Sequence, residues 1–427
     1  MKKFKKYWRI ATKNKLPIIV LAIFILELFL RFYQIDQRSP FGYDQVDNAW
    51  AAKKIIDDHS FPLVGFVAKG NSGIYIGPLY YYLISIVYLI FDLNPISSGI
   101  FAGITSIFTF WSIFYVVKKL FSWKIAIIAV FINTIAFNAI MFDVIQTPVN
   151  FIPGISILIF YFLYKAITEN TKYLIPLSVI IGLSFHIHFT SIFYPIIVLS
   201  SCIFFMWNRK TLRHILISIP LCLIWLVPNV IAQINGNSQG SHLVGYISTY
   251  YHGFHLRRMI QLVGDAIIQF DSYLFFDRIK PLKIIILPLF FLVYFWKSIS
   301  KDKLKFSYLA ILWFLVPWLV FTTYRGEISD YYFRMSAPIA LMIISYLIFR
   351  LFSSINLILK VIMAFIFLYY VFSNMNQLLN YKGTGFRQSE KYILELIKNG
   401  EKMEYKQGSS ESYIYYYYMR KKGINVY

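Results

Sequence analysis

Charge is what this sequence has least of: Asp, Glu, Lys and Arg make up 15% of its 427 residues, while 58% are hydrophobic and 20% aromatic. A soluble chain of this length has no interior large enough to hide that much apolar surface. Acidic residues are scarcer still, 20 against 42 basic, for a net charge of +22. Such an excess fits nucleic acid when it covers one polar face. Here Lys and Arg come in short clusters between apolar runs, which speaks against a nucleic-acid partner. Only two cysteines occur, Cys202 and Cys222, both inside apolar runs, so there is neither a disulfide framework nor a zinc spacing. No small-residue cleavage site follows MKKFKKYWRIATKNK and its apolar run, so the N-terminus reads as an uncleaved first span. Internal repeats, low-complexity linkers and heptads are missing too.

What is there instead is a series of apolar runs of about 20 residues, the length needed to cross a bilayer core. Spans are expected near 17–33, 97–117, 124–141, 151–166, 173–189, 191–207, 213–233, 281–296, 306–323, 332–349 and 356–373. The chain is therefore expected to be an all-α polytopic membrane protein with about eleven transmembrane helices. With the N-terminus inside, the loops 118–124, 165–172, 208–213, 297–305 and 350–360 fall inside, and each is short and basic, as the positive-inside rule requires. That agreement holds only if GPLYYYLISIVYLIF at 77–91 does not cross, because one extra crossing would put every later basic loop outside. About 15 residues are short for a span and suit a helix on the membrane surface, with Tyr80, Tyr81 and Tyr82 at headgroup level.

The other loops, 34–96, 142–150, 234–280 and 324–331, belong to the outer face of a cell-membrane domain spanning residues 1–373. Residues 374–427 make a small extracytoplasmic tail: a helix near 387–398 ended by Gly400, a strand-like MEYKQ, and a helix near 411–422 ended by Gly423. An α/β tail of that size is too small to fold alone and is expected to dock on the membrane body.

In the first outer loop, SPFGYDQVDNAWAAKKIID has a turn at Ser39-Pro40 and Gly42, after which Asp44 stands where a helix begins, with Asp47 and Lys54 following at helical spacing. An aspartate there either caps the helix or carries chemistry at the membrane surface, and the two roles are compatible. Gly70, Gly73 and Gly77 give a flexible approach to 77–91, and MFDVIQTPVNFIP sets Asp143, Gln146 and Asn150 at the outer end of the third span.

Four pieces follow in one order: YDQ after the first span, GPLYYYL after the glycine-rich loop, KKLF-x-x-K before the third span and TPVNFIP after it. GLSFHIHFTSIFYPI and ISDYYFRMSAPIAL continue the series. That order resembles the GT-C membrane glycosyltransferases, the superfamily of protein O-mannosyltransferases and aminoarabinose lipid A transferases. The resemblance implies a GT-C-type fold and a sugar moved from a polyprenyl-phosphate donor, among membrane lipids, to a glycan, lipid or protein acceptor. It implies that Asp44, standing where the family's YDE motif has its catalytic carboxylate, is the base. Gln45 replaces the family's glutamate, which leaves one carboxylate, argues against a metal held by an Asp-Glu pair and leaves open a divalent metal held in another way. Asn150 falls at a second family position beside a proline, where it can hydrogen-bond an acceptor but cannot act as a base. Tyr331, Tyr332 and Arg334 resemble the family's aromatic motif at the tenth span.

Such chemistry needs a base to take the acceptor's proton as C1 is attacked with inversion, and cations to stabilise the departing phosphate. Lys53, Lys54, Lys69, Arg257, Arg258, Arg325 and Arg334 lie at the right level for that phosphate or act as snorkelling anchors, and the adjacent Arg257 and Arg258 suit bidentate binding. His186 and His188 read as buried hydrogen-bonding groups or as site residues, and on a helix their rings diverge, so a shared metal is not expected. Glu27 and Arg31, four apart in the first span, satisfy each other, and Tyr415 to Tyr418 read as a packing run. Two rivals stay open. One is a polysaccharide polymerase or ligase working through His242, His252, His255, Arg257 and Arg258 in the loop 234–280. The other is a lipid-linked sugar transporter or flippase, against which stand the few charges within spans and the lack of inverted repeats.

Overall fold

The computed structural model describes residues 2–68, 74–236, 239–251, 253–274, 303–354, 356–381, 383 and 385–426, with the backbone alone given at 2–16, 239–243, 271, 274, 303, 330 and 354. Among the described residues there is no sheet, only three isolated bridges. Helices carry the fold because a segment in lipid must satisfy its backbone groups internally. The first half comprises α1 (Lys2–Phe32), α2 (Tyr43–Ile56), α3 (Leu79–Ile90), α4 (Ser97–Leu120), α5 (Trp123–Ile135), α6 (Phe137–Val144), α7 (Ile152–Thr168), α8 (Leu174–Ser184) and α9 (Phe193–Phe205). After them come α10 (Arg209–Leu223), α11 (Val227–Ile234), α12 (Gln239–Tyr250), α13 (Leu256–Gln261), α14 (Val263–Leu274), α15 (Lys303–Thr322), α16 (Ala337–Ser354), α17 (Leu357–Asn380), α18 (Arg387–Lys398) and α19 (Ser410–Lys421).

This is a multi-span membrane protein. Six described segments are long and apolar enough to cross a bilayer: Ser97–Leu120, Pro148–Thr168, Arg209–Ile234, Leu304–Thr322, Tyr331–Ser353 and Leu357–Asn380. The pair α5 and α6 is apolar enough to join them but is bent by 65° at Ala136, as a broken span or a re-entrant segment. α1 is apolar from Pro17 onward apart from Glu27 and Arg31. The crossings expected at 173–189 and 191–207 are the shorter helices Thr171–Ser184 and Phe189–Phe205, and the one expected at 281–296 lies outside the described residues.

α3 has 12 residues, about 18 Å at 1.5 Å per residue, too short to cross. It packs along α2, which changes the environment of its tyrosines: Tyr80 and Tyr81 are buried in the protein core rather than set at headgroup level.

The two ends of the bundle are distinct. At one, Lys305 donates to the Ile167 carbonyl at 3.2 Å and Thr171 meets His214 Nδ1 at 2.7 Å, so the basic loops at 165–172, 208–213 and 303–305 lie together. At the other, the Gly385 amide donates to the Gln37 carbonyl at 3.0 Å and the Arg325 amide to the Tyr250 carbonyl at 2.8 Å.

The bend between α5 and α6 is held by α1. Breaking a helix frees carbonyls on its N-terminal side, here those of Asn133 and Thr134, and Arg31 fills both, reaching Asn133 at 2.9 Å. The amide of Phe137, the first residue of α6, donates to Asn374 Oδ1 of α17 at 2.7 Å. Arg31 also binds Glu27 at 3.0 Å and Asp143 at 2.9 Å. The pair expected within α1 is therefore part of a buried triad that reaches α6, with two carboxylates on one guanidinium.

The tail forms its two helices where expected, and Gly400 and Gly423, both with φ +75°, follow them as left-handed C-terminal residues. MEYKQ does not form a strand. Its residues are largely exposed and meet no free strand edge among the described residues, and a strand needs one to pair with. The tail is thus helical, not α/β, and it docks: Tyr413 donates to the Leu93 carbonyl at 3.0 Å, Tyr416 to Asp57 at 2.7 Å, and Arg420 spans Asp57 at 3.1 Å and Asp92 at 2.6 Å. Tyr415, Tyr416 and Tyr417 are buried, so the tyrosine run is packing.

Candidate active site

Asp44 lies in the first turn of α2. The helix starts there because Gly42 takes extended backbone and its amide donates to Gln45 Oε1 at 3.0 Å, the N3 half of a capping box. Gln45 Nε2 in turn donates to the Gln146 carbonyl at 2.7 Å. With the cap supplied by others, the exposed Asp44 carboxylate has no hydrogen-bond donor among the described residues; Asn48 bonds only its main-chain oxygen, at 2.6 Å. A helix N-terminus favours negative charge, but loss of water on the protein side of the carboxyl, and then Asp47 one turn on, raise its pKa above the ordinary aspartate value. A raised carboxylate is better matched to proton abstraction near neutral pH.

α3 lies against this helix. Tyr81 donates to Asp47 at 3.0 Å, and the fully buried Tyr80 accepts from Gln146 Nε2, while Ser98 reaches Gln146 Oε1 at 3.4 Å. Gln146 therefore ties α2, α3 and α4 together. Gly77 allows the next contact, since a Cβ there would sit 2.1 Å from His186 Nδ1. His186 accepts the Leu79 amide at 3.4 Å and donates through Nε2 to the Trp225 carbonyl.

Two residues on, His188 lines a narrow cleft, with room for about 20 Å³, together with Ala68, Thr190, Tyr246, Tyr324 and Tyr332. His188 Nδ1 accepts the Thr190 amide at 3.3 Å, which puts the ring proton on Nε2 and leaves that N–H for an occupant. Tyr246 donates to Tyr324 at 3.0 Å. Nearby, Arg325 donates to His255 Nε2 at 3.2 Å and Arg258 to the Gly326 carbonyl at 3.0 Å, while Arg257 is exposed. Arg334 is buried with its guanidinium 4.0 Å from the Phe142 ring centroid, and its Nη1 has no partner among the described residues. No three His, Cys, Asp or Glu among the described residues are grouped to hold a metal.

By sequence, the family model described as dolichyl-phosphate-mannose-protein mannosyltransferase matches residues 76–231, from just before α3 to within α11, a stretch that begins after Asp44. ArnT from Cupriavidus metallidurans, solved bound to undecaprenyl phosphate, superposes with a TM-score of 0.59 over 93% of this chain and 68% of its own at 11% identity. This chain has the GT-C fold. AglB, an archaeal oligosaccharyltransferase from Archaeoglobus fulgidus solved with an inhibitory peptide and a dolichol-phosphate, superposes with a TM-score of 0.55 over 97% of this chain and 60% of its own at 12% identity. No curated protein matches the sequence.

Within the GT-C fold the residues singled out by sequence fall into two groups. Asp44, Gln45, Asp47 and Asn150 gather around α2, α3 and the 145–150 link, but Gln45 has both ends of its amide engaged and Asn150 holds its own turn, donating to the Ile145 carbonyl at 2.7 Å. His188, Tyr331 and Tyr332 gather at the cleft, with ring centroids 6.2 and 5.8 Å from the imidazole. The first turn of α3 links the groups, through Tyr80 and Tyr81 on one side and the bond from Leu79 to His186 on the other. Lys54 is exposed, about 15 Å along α2 from Asp44. Lys53 is held by Asp58 at 2.8 Å, and Lys69 lies outside the described residues. Tyr246, Tyr251 and Tyr324 were not legible as a site. They meet because Tyr251 and Tyr324 form a backbone bridge between segments 73 residues apart, which no local pattern announces.

Proposed function

We propose that this chain is a glycosyltransferase of the outer face of the cell membrane that moves a sugar from a polyprenyl-phosphate donor to a glycan, lipid or protein acceptor, inverting the anomeric centre. The N-terminus is inside and the tail outside, as the basic loops require. One observation carries the role of Asp44. Asp36, Asp47, Asp57, Asp58, Asp92 and Asp143 are each engaged by a cation or a hydroxyl, whereas the Asp44 carboxylate, at a helix N-terminus, has no such partner among the described residues. As the acceptor hydroxyl attacks C1, its proton passes to Asp44, the bond from C1 to the phosphate oxygen breaks, and the phosphate leaves with the electron pair on its lipid. Arg257, Arg258 and Arg334 supply positive charge for that phosphate, and the His188 N–H offers it a hydrogen bond beside the aromatic cleft. The lipid phosphates bound by ArnT and AglB support the donor class.

The test is made in the native host. A deletion strain carrying Asp44→Asn should lack the same surface sugar as the bare deletion, by mass spectrometry of its glycans, while a wild-type copy restores it. Full restoration by Asp44→Asn, together with loss on His255→Ala or Arg257→Ala, would move the site to the 234–280 loop and favour a polymerase or ligase.

A further inference from the structure

The C-terminal tail touches α2 at three points spread along its whole length. At the start, Gly408 (φ +72°) packs so closely on Tyr43, the residue before Asp44, that a Cβ at 408 would fall 2.3 Å from the Tyr43 ring. Midway, Trp50 is caged by Tyr405, Tyr413 and Tyr416, with ring centroids 5.6, 5.1 and 5.1 Å away. At the C-cap, Asp57 accepts from Tyr416 at 2.7 Å and pairs with Arg420 at 3.1 Å. α2 also packs against α3 and bonds through Gln45 to the Gln146 carbonyl. A helix takes its tilt from the elements packed against it.

We infer that residues 405–420 of the tail, which also meet α3 at Tyr88, are a positioning clamp that fixes the tilt and register of α2, and so the placement of the Asp44 carboxylate. This rests on the reading of Asp44 as the base. Tyr43 is the nearest of the three contacts to the carboxylate, and glycine at 408 is what lets the tail backbone lie against its ring. Displacing a reacting group by about 1 Å costs up to about 100-fold in rate, so the clamp acts on turnover and leaves the lipid-phosphate end alone.

The experiment is a double-mutant cycle on Gly408→Ala and Tyr43→Ala in the full-length protein in nanodiscs. Two quantities are read: affinity for undecaprenyl phosphate, by ligand-induced thermal shift, and transfer of radiolabelled sugar from the lipid-linked pool in host membranes. The clamp requires Gly408→Ala to lower transfer about tenfold or more with undecaprenyl phosphate affinity within about twofold, and to cost much less when Tyr43 is already alanine, because the ring it would strike is gone. An equal loss in both backgrounds would mean that Gly408→Ala acts only through backbone strain in the tail, and overturns the clamp, as does unchanged transfer. Asp44→Asn is run alongside. If it abolishes transfer while Gly408→Ala is silent, the clamp fails and the base assignment stands; if Asp44→Asn is fully active, both fail.

Discussion

Replacing Arg31 by methionine tests the buried triad most severely. Arg31 binds Glu27 at 3.0 Å and Asp143 at 2.9 Å, and fills the carbonyls of Asn133 and Thr134 that the bend at Ala136 leaves open. Removing one partner of a buried ion pair costs about 3–5 kcal/mol, and each orphaned carbonyl adds about 1–3 kcal/mol. The loss should therefore reach about 5 kcal/mol or more, against a total stability on the order of 5–15 kcal/mol for a folded domain. The triple variant Glu27→Gln, Arg31→Met, Asp143→Asn removes the stranded charges and leaves only the orphaned carbonyls, so it should recover about 3 kcal/mol of that loss. The readout is heating in detergent, followed by thiol-dye labelling of Cys202, which is 1% exposed, and by the monodisperse fraction on size exclusion. Arg31→Met should label at temperatures where the wild type is protected, with the triple variant between them. An Arg31→Met protein as heat-resistant as the wild type, or a triple variant no better than the single, would refute the reasoning.

Asp47→Asn removes the second of the two causes that raise the Asp44 pKa, so the base stays deprotonated to lower pH and the acid limb of the transfer profile should move down in pH; movement upward would contradict the assignment. Gln45→Ala deletes the partner of the Gly42 amide and the bond to the Gln146 carbonyl, and should cost about 2 kcal/mol in heat stability, half from each; a change under about 0.5 kcal/mol would deny it the capping role. His188→Phe keeps the ring among Tyr331 and Tyr332 but loses the free N–H, and should weaken undecaprenyl phosphate binding about tenfold. Unchanged binding would place the lipid phosphate elsewhere.

Composition and run length were enough to specify a multi-span helical protein, because the bilayer constrains length and charge locally. The order of short motifs was enough to suggest the GT-C fold. Capping was not legible: YDQ alone left Asp44 as cap or catalyst, and only the structure shows Gly42 at the N-cap, its amide taken by Gln45 rather than by Asp44. Nor was the Arg31 triad, since Asp143 lies 112 residues away and is joined to it only by the bend in the α5 and α6 pair. The MEYKQ strand failed for a related reason. Its residue types favour extension, but a strand exists only where another edge lies beside it, and the tail folds against α2 instead. Local chemistry determined which segments enter the membrane; tertiary contact decided which polar groups remain free, because a hydrogen-bond partner is supplied by whatever the fold brings near.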